Sequence, residues 1–372
     1  MTRRVAVIGA GVVGLATAWA LERKGFACLV FEPGAPGGAQ SGGESRIFRH
    51  AHADSRQFEL ALRARRDWRA WEEEFGVQLI SDDGAMVIGE QAVAKLARYA
   101  DDPAIDVREL GAGEILDFLP PMGDFKGPAL IDENAGAIRS QLALANLIAA
   151  VGLNLVPEQV HSVTPRPQGG VEITSSFGPR NFDAVVVAAG VGTSELARGA
   201  GVDIPLETRA HVRLTMPLRS GRTAPRLACL QDSSGAFGEP AAYGSPVTGN
   251  RDYAVGLPLT TSIVPGSEGS DRLEALAART VEYVDEALPG LDSDRAVAFQ
   301  RWVTELPWSS DGLGIWQADD AYFVAGHNLF KLAPALGKAL ARAVDSGEVE
   351  AGLRPEDRLG TPDSDMQANR PA

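Results

Sequence analysis

The chain has 372 residues, 45% apolar and 23% charged, the balance of a globular protein with room for two lobes at roughly 100–200 residues per domain. Lysine and arginine number 35 against 49 aspartates and glutamates, a net charge of −14, and this lacks the basic excess of a nucleic-acid binder. Two distant cysteines, Cys28 and Cys229, argue against a disulfide framework or a thiolate metal site and for a reducing, cytoplasmic compartment, and the apolar runs are too short to span a bilayer.

Arg3-Arg4 before an apolar stretch imitates a secretory leader. The glycines inside Val5–Leu15 read better as strand, turn and helix. Val5–Ile8 is a β-branched apolar run, as in a central parallel strand. A helix follows from Val12 to Lys24, closed by Gly25 as C-cap, and Ala27–Phe31 is a second buried strand. Together they make a βαβ unit. Gln57–Phe75 is a long helix with Trp68 and Trp71 on a packing face, and Ser140–Val151 is another, with Ser140 as N-cap. Leu153–Val163, Val171–Ser175 and Asp183–Ala188 read as strands. From Pro205 to Pro258 short alternating segments (His211–Met216, Arg226–Leu230, Tyr253–Leu257) predict an antiparallel sheet. Asp271–Leu288 is a helix, Ala296–Thr304 and Ala321–Ala325 are strands, and Pro334–Val344 is a last amphipathic helix. The five histidines show no metal-ligand spacing, so no metal is expected.

Gly9, Gly11 and Gly14 form G-x-G-x-x-G between a strand and a helix, with Glu32 eighteen positions after Gly14. That context makes the motif a dinucleotide signature: a tight turn, close backbone approach at Val12 and Val13, and a pyrophosphate on the helix N-terminus. An acid at Glu32 would take the ribose hydroxyls and disfavours a 2′-phosphate, leaving FAD or NAD. An NAD dehydrogenase continues its doubly wound pattern directly. Here a glycine-rich loop, Gly34–Gly43, and the segment Glu44–His52 intervene, and a nucleotide-lobe strand returns only at Asp183–Gly190. Such interleaving suits a flavin. The predicted fold is α/β with α+β elements, a Rossmann-like FAD-binding domain interleaved with an antiparallel-sheet substrate domain. The boundaries are 1–80, 140–205 and 320–350 for the first, 81–139 and 206–319 for the second, and a loose tail at 353–372.

Four segments resemble the D-amino-acid-oxidase-like flavoproteins, and within them the monomeric sarcosine oxidase and N-methyl amino acid oxidase group. They are the glycine motif with Glu32, the loop Gly43–Ala51, the segment Asp183–Gly190, and Ala325-Gly326-His327 running to Lys331 and Gly337. The resemblance implies non-covalent FAD, held around Gly9, Gly11, Val12, Val13, Gly14, Glu32, Pro33, Ser41, Arg46, Ala189, Gly190, Gly326, His327, Asn328 and Lys331, with the Val160 backbone meeting the adenine. Arg46 would lie by the flavin, Arg49 and Lys331 would bind the substrate carboxylate, and Tyr243 would line the pocket. A guanidinium suits that role because it grips a carboxylate with two parallel hydrogen bonds.

Three departures stand out. The family attaches FAD through a cysteine where this chain has Arg301-Trp302-Val303-Thr304. Ala254 takes the position of an oxygen-activating lysine, so either another cation, Arg46 or Arg251, substitutes or oxygen is a poor acceptor. Pro258 replaces a family histidine. The resemblance implies an FAD-dependent oxidoreductase that takes hydride from a carboxylate-bearing secondary, N-methyl or cyclic amine to flavin N5 and yields an imine. The partners expected are that small molecule and oxygen or another acceptor, with no nucleic acid and no membrane, in a monomer or homodimer. The alternatives are an amine dehydrogenase or biosynthetic tailoring flavoenzyme with poor oxygen reactivity, and a non-catalytic flavin-binding paralogue. An NAD dehydrogenase is a further enzyme reading, and Trp302 and Trp308 are read as core packing.

Overall fold

The computed structural model describes residues 2–261 and 269–368. Its first sheet has six strands in the order Leu313–Ala318, Ala321–Gly326, Ala184–Val187, Arg4–Ile8, Ala27–Phe31, Leu155–Val156. All neighbours run parallel except the pair at the Leu313–Ala318 edge. Val5 and Val7 face one core and Ala6 and Ile8 the other, which is why this strand is apolar without alternation. The helices Val12–Arg23, Ser55–Phe75 and Ala333–Ser346 share the first of those cores, with Trp68 and Trp71 fully buried in it. Ser55–Phe75 begins earlier than predicted because Asp54 caps it, accepting from the Arg56 amide at 2.9 Å.

The second sheet has eight strands: Val297–Glu305, Glu207–Pro217, Asp252–Gly256, Ala242–Pro246, Cys229–Asp232, Ala85–Ile88, Ala129–Asp132 and Val107–Glu109. It is antiparallel except where Cys229–Asp232 runs parallel to Ala85–Ile88. Along Glu207–Pro217 the residues Ala210, Val212, Leu214 and Met216 enter a core under the helix Gly269–Ala287. Alternation therefore sends His211, Arg213 and Thr215 to the opposite face. Partners in the ladder share that face: Arg301 pairs with His211, Ala254 with Thr215 and Ser245, and Gly256 with Tyr243.

Several expectations need correction. Ser140 is the first residue of its helix rather than the cap, and its hydroxyl donates to the Gly43 carbonyl at 2.7 Å. The predicted strand over 153–163 is a 3₁₀ turn, a two-residue strand and then Val160–Pro165. Leu313–Ala318 belongs to the nucleotide sheet, so the substrate-domain segment 206–319 ends too late. The tail expected to be loose is packed at least over its first part: Leu353 and Leu359 are buried, and their carbonyls accept from the Ile315 and Leu313 amides, while 369–372 lie outside the described residues. Trp302 is 45% exposed, and Trp308 donates to the Leu359 carbonyl.

Candidate active site

The ends of the parallel strands deliver one group of residues. Gly9 follows Arg4–Ile8 with φ of +101°, and Ala189-Gly190 follow Ala184–Val187. Gly326 and His327 close Ala321–Gly326, and Glu32 closes Ala27–Phe31. In open α/β sheets ligands bind outside the carboxyl ends of the strands. A Cβ on Gly14 would collide with the Gly9 carbonyl, and one on Gly11 would reach 3.2 Å from Ser41 Oγ. The backbone at this turn is thus kept bare. The helix Val12–Arg23 starts there with no acidic residue in its first turn, and Ser41 Oγ accepts from the Val12 amide at 3.0 Å. Its N-terminus suits a pyrophosphate. Glu32 accepts from the Ala10 and Gly34 amides, each at 3.0 Å. Each carboxylate oxygen keeps a lone pair for a ribose hydroxyl. Pro33 follows on the surface, Val13 is buried, and Val160 packs with Ile8 and Phe31 at the same end of the sheet. These residues fit FAD.

A second group surrounds Asp311. Its carboxylate accepts from Arg49 Nη2 and from Asn328 Nδ2, both at 2.6 Å, and His52 Nδ1 stands 3.5 Å away. Gln57 holds the Asp311 carbonyl at 2.6 Å. Asn328 is in the left-handed region at φ of +54°, which asparagine tolerates. Lys331 is buried in the following turn, whose carbonyl accepts from Trp68 Nε1 at 2.8 Å. Burial lowers the Lys331 ammonium to about 7; Arg49 and Lys95 add to the lowering and Asp311 opposes it. Burial works against ionising Asp311, yet Lys331, Arg49 and His52 outweigh it and hold the carboxyl well below its usual range. Burial, then Lys331 and Arg49, keeps His327 neutral down to about 4, and burial does the same for His52 to about 3.

The third group is the open face of the eight-stranded sheet. Arg213 donates to the Ser45 carbonyl at 3.0 Å and to Ser245 Oγ, and lies 3.4 Å from the Ala254 carbonyl. Arg46 donates to the carbonyls of Ser45, Gln40 and Gly42, and Arg301 to that of Gln40 at 3.0 Å. The Tyr243 hydroxyl sits 3.2 Å from His211 Nδ1. Burial raises the Tyr243 phenol, against the pull of Arg213, Arg46 and Arg301. Arg251 is exposed at a turn, so Arg213 rather than Arg251 is the cation beside Ala254.

The structure therefore brings Arg46 and Tyr243 together on one side and Arg49 and Lys331 on the other. Sequence reasoning missed Asp311, Arg213, His211 and Gln40. Only Arg213 left a signal, a buried charge alternating with Val212 and Leu214. Among the described residues no group of three or more His, Cys, Asp or Glu is placed to hold a metal, and no helix is long and apolar enough to cross a membrane.

The family model for FAD dependent oxidoreductases, DAO, matches residues 4–343, and the chain belongs to that family. It is an FAD-dependent oxidoreductase. No curated protein sequence matches it. Among solved structures it is similar to NikD, an unusual amino acid oxidase essential for nikkomycin biosynthesis, at 22% identity over 97% of this chain and 98% of that one, TM-score 0.79. It is also similar to glycine oxidase from Geobacillus kaustophilus (20% identity, 95% and 98% covered, TM-score 0.77). A third is L-proline dehydrogenase from P. horikoshii (17% identity, 99% and 98% covered, TM-score 0.75).

Proposed function

We propose that the chain oxidises the C–N bond of a carboxylate-bearing amine, a secondary, N-methyl or cyclic amino acid. The observation that carries this reading is the buried Lys331 beside Arg49, at the strand ends where the flavin belongs. The structurally similar proteins are named as acting on amino acids, which supports it. Bound FAD supplies the hydride acceptor at N5, and the product is an imine. The protein's own part is positioning. Asp311 aims Arg49, and an arriving carboxylate shares that guanidinium with Asp311 and draws a proton onto Lys331. His52 and His327 stay neutral, so neither adds charge at the site. The amine must arrive neutral, and no residue is assigned as a strong base.

FAD is held without a covalent link: Cys28 and Cys229 are buried in separate parts of the molecule, and Arg301 stands where the related oxidases carry the attaching cysteine. Ala254 favours a second reading, in which oxygen is a poor acceptor and the enzyme works as a dehydrogenase or a biosynthetic tailoring enzyme. The test is an anaerobic titration of the FAD-loaded protein with N-methyl and cyclic amino acids. The reading expects the oxidised flavin band to bleach, and readmitted air separates oxidase from dehydrogenase. A yellow protein that no amino acid bleaches would defeat it. Arg49→Ala should weaken carboxylate binding by about 1.5–3 kcal/mol, the worth of a charge-assisted hydrogen bond.

A further inference from the structure

Arg49 and His50 are neighbours in the chain, and each holds an aspartate from a different sheet region. Arg49 reaches Asp311, two residues before the edge strand of the nucleotide sheet. His50 Nδ1 donates to Asp132 Oδ2 at 2.6 Å, and Asp132 ends the strand Ala129–Asp132 of the eight-stranded sheet. A carboxylate accepts hydrogen bonds, so Nδ1 is the ring nitrogen that carries the hydrogen. Both residues are buried, at 0% and 2% exposure. Asp132 is a rigid anchor: it pairs with Ala85 on one neighbouring strand and Val107 on the other, and its second carboxylate oxygen accepts from the Asn134 amide at 3.1 Å. The Phe48 ring packs against the imidazole edge to face, centroids 5.0 Å apart. His50 Nε2 has no partner among the described residues, so the bond to Asp132 is the polar contact that sets the ring.

This bond falls where regular structure lapses. The ladder of Ser45–Phe48 with Gly136–Arg139 ends at Phe48, and the next helix begins at Ser55. Arg49 opens the irregular stretch between them. Side-chain bonds hold that stretch in place: His50 to Asp132, and the Tyr99 hydroxyl to the His52 carbonyl at 3.0 Å. The first is the nearer to Arg49. It is also charge-assisted and shielded from water, where hydrogen bonds are strongest. A functional side chain is held most accurately when its support stands on a rigid element, and Asp132 stands on a strand paired on both sides.

We propose that His50, anchored by Asp132, is a positioning residue for substrate binding: it fixes the backbone at Arg49 so that the guanidinium meets the substrate carboxylate beside Lys331. This rests on the carboxylate reading of Arg49 and Lys331 and extends it. Asp311 aims the guanidinium at its tip, and His50 fixes the same side chain at its root. Removing the Nδ1 donor leaves the Asp132 carboxylate buried and unpaired, which is costly. The irregular stretch that begins at Arg49 is the part free to shift in response, and it carries the guanidinium with it.

Two unreactive thioethers test it: (methylthio)acetate, which carries a carboxylate, and (methylthio)acetamide, its uncharged counterpart. Binding to the FAD-loaded protein is read from the perturbation of the flavin absorption band, with no turnover. His50→Leu and Asp132→Leu should each cut the preference for the carboxylate over the amide at least about tenfold, the effect of one charge-assisted contact. The double variant should lose no more than either. His50→Asn, whose amide nitrogen falls near the place of Nδ1, should keep most of the preference. His50→Gln, whose amide falls near the place of Nε2 instead, should lose it, and stands in if His50→Leu fails to fold. A pair that only supports the fold would lower the melting temperature and weaken both probes alike. That result, or an Asn variant no better than the Gln variant, overturns the positioning role while leaving the function at Arg49 intact. The function itself fails separately, if Arg49→Ala leaves (methylthio)acetate binding unaltered, and the positioning proposal then falls with it.

Discussion

Lys331 is a lysine whose charge is conditional. Its ammonium titrates near 7 in the fold, against about 10.4 for a free lysine. Between those values the unfolded chain holds one more proton, so this group makes stability rise with pH across that window. Carboxylate binding has the opposite slope, because it needs the charged form. Affinity for (methylthio)acetate should therefore fall as pH rises above 7, and Lys331→Met should flatten the profile while weakening binding at pH 6. A spectral titration at several pH values checks both. His52, His211 and His327 act at the acid end. Burial holds them neutral to about 3, 3 and 4, whereas an unfolded histidine takes up its proton near 6.5. Each costs about 1.4 kcal/mol of stability per pH unit on descent from 6.5 toward 4. Urea midpoints across that range should fall steeply, and His52→Gln should lessen the slope. The roles of these histidines were not legible in the sequence. Burial dominates each, and charges from far along the chain add to it: Lys331 for His52, Arg49 for His327, and His327 and Arg46 for His211, more than 100 residues away in every case.

At the scale of elements, one glycine sets how closely a helix approaches the nucleotide turn. A Cβ on Gly337 would lie 2.6 Å from the Ala16 carbonyl carbon, so the helix Ala333–Ser346 rests directly on the backbone of Val12–Arg23. Gly337→Ala should cost about 1–3 kcal/mol by overpacking and speed FAD loss by tilting the first helix. Gly113→Ala has open space and should stay within about 0.5 kcal/mol. Chemical unfolding and flavin release on dilution measure both. Elements of this kind were the readable part of the chain. The strand Ala27–Phe31 and the helix span Ser140–Val151 match their sequence patterns because local apolar content and turn residues decide them. Leu313–Ala318 was not read because it is a sheet-edge strand whose pairing with Ala321–Gly326 is set by one tight turn, with Asp319 at φ of +49°. Arg213 was passed over because its neighbours in the ladder, not its own segment, make its face a site.

At the scale of the whole molecule, the C-terminal segment buttresses the substrate side. Leu359 accepts from the Leu313 amide, two residues after Asp311, and a Cβ on Gly360 would lie 2.8 Å from the Asp311 carbonyl. The Gly360 amide donates to Asp54 at 2.7 Å, and Asp363 holds Ser55 and Arg98. A chain ending at Gly352 should melt earlier and bind carboxylates more weakly, since Asp311 would lose its support; calorimetry and the same spectral titration decide this.

The pairing of Arg4–Ile8 with Ala184–Val187 also has a consequence in time. During synthesis the first strand emerges with one neighbour, Ala27–Phe31, and waits for the other. At about 5–20 residues per second that wait lasts on the order of ten to thirty seconds. Throughout it, an apolar strand edge made for the centre of a sheet stands open beside the phosphate turn. The nascent chain is thus most vulnerable to wrong pairing before any flavin can help, and the glycine turn, first to be made, is among the last parts of the site to be complete.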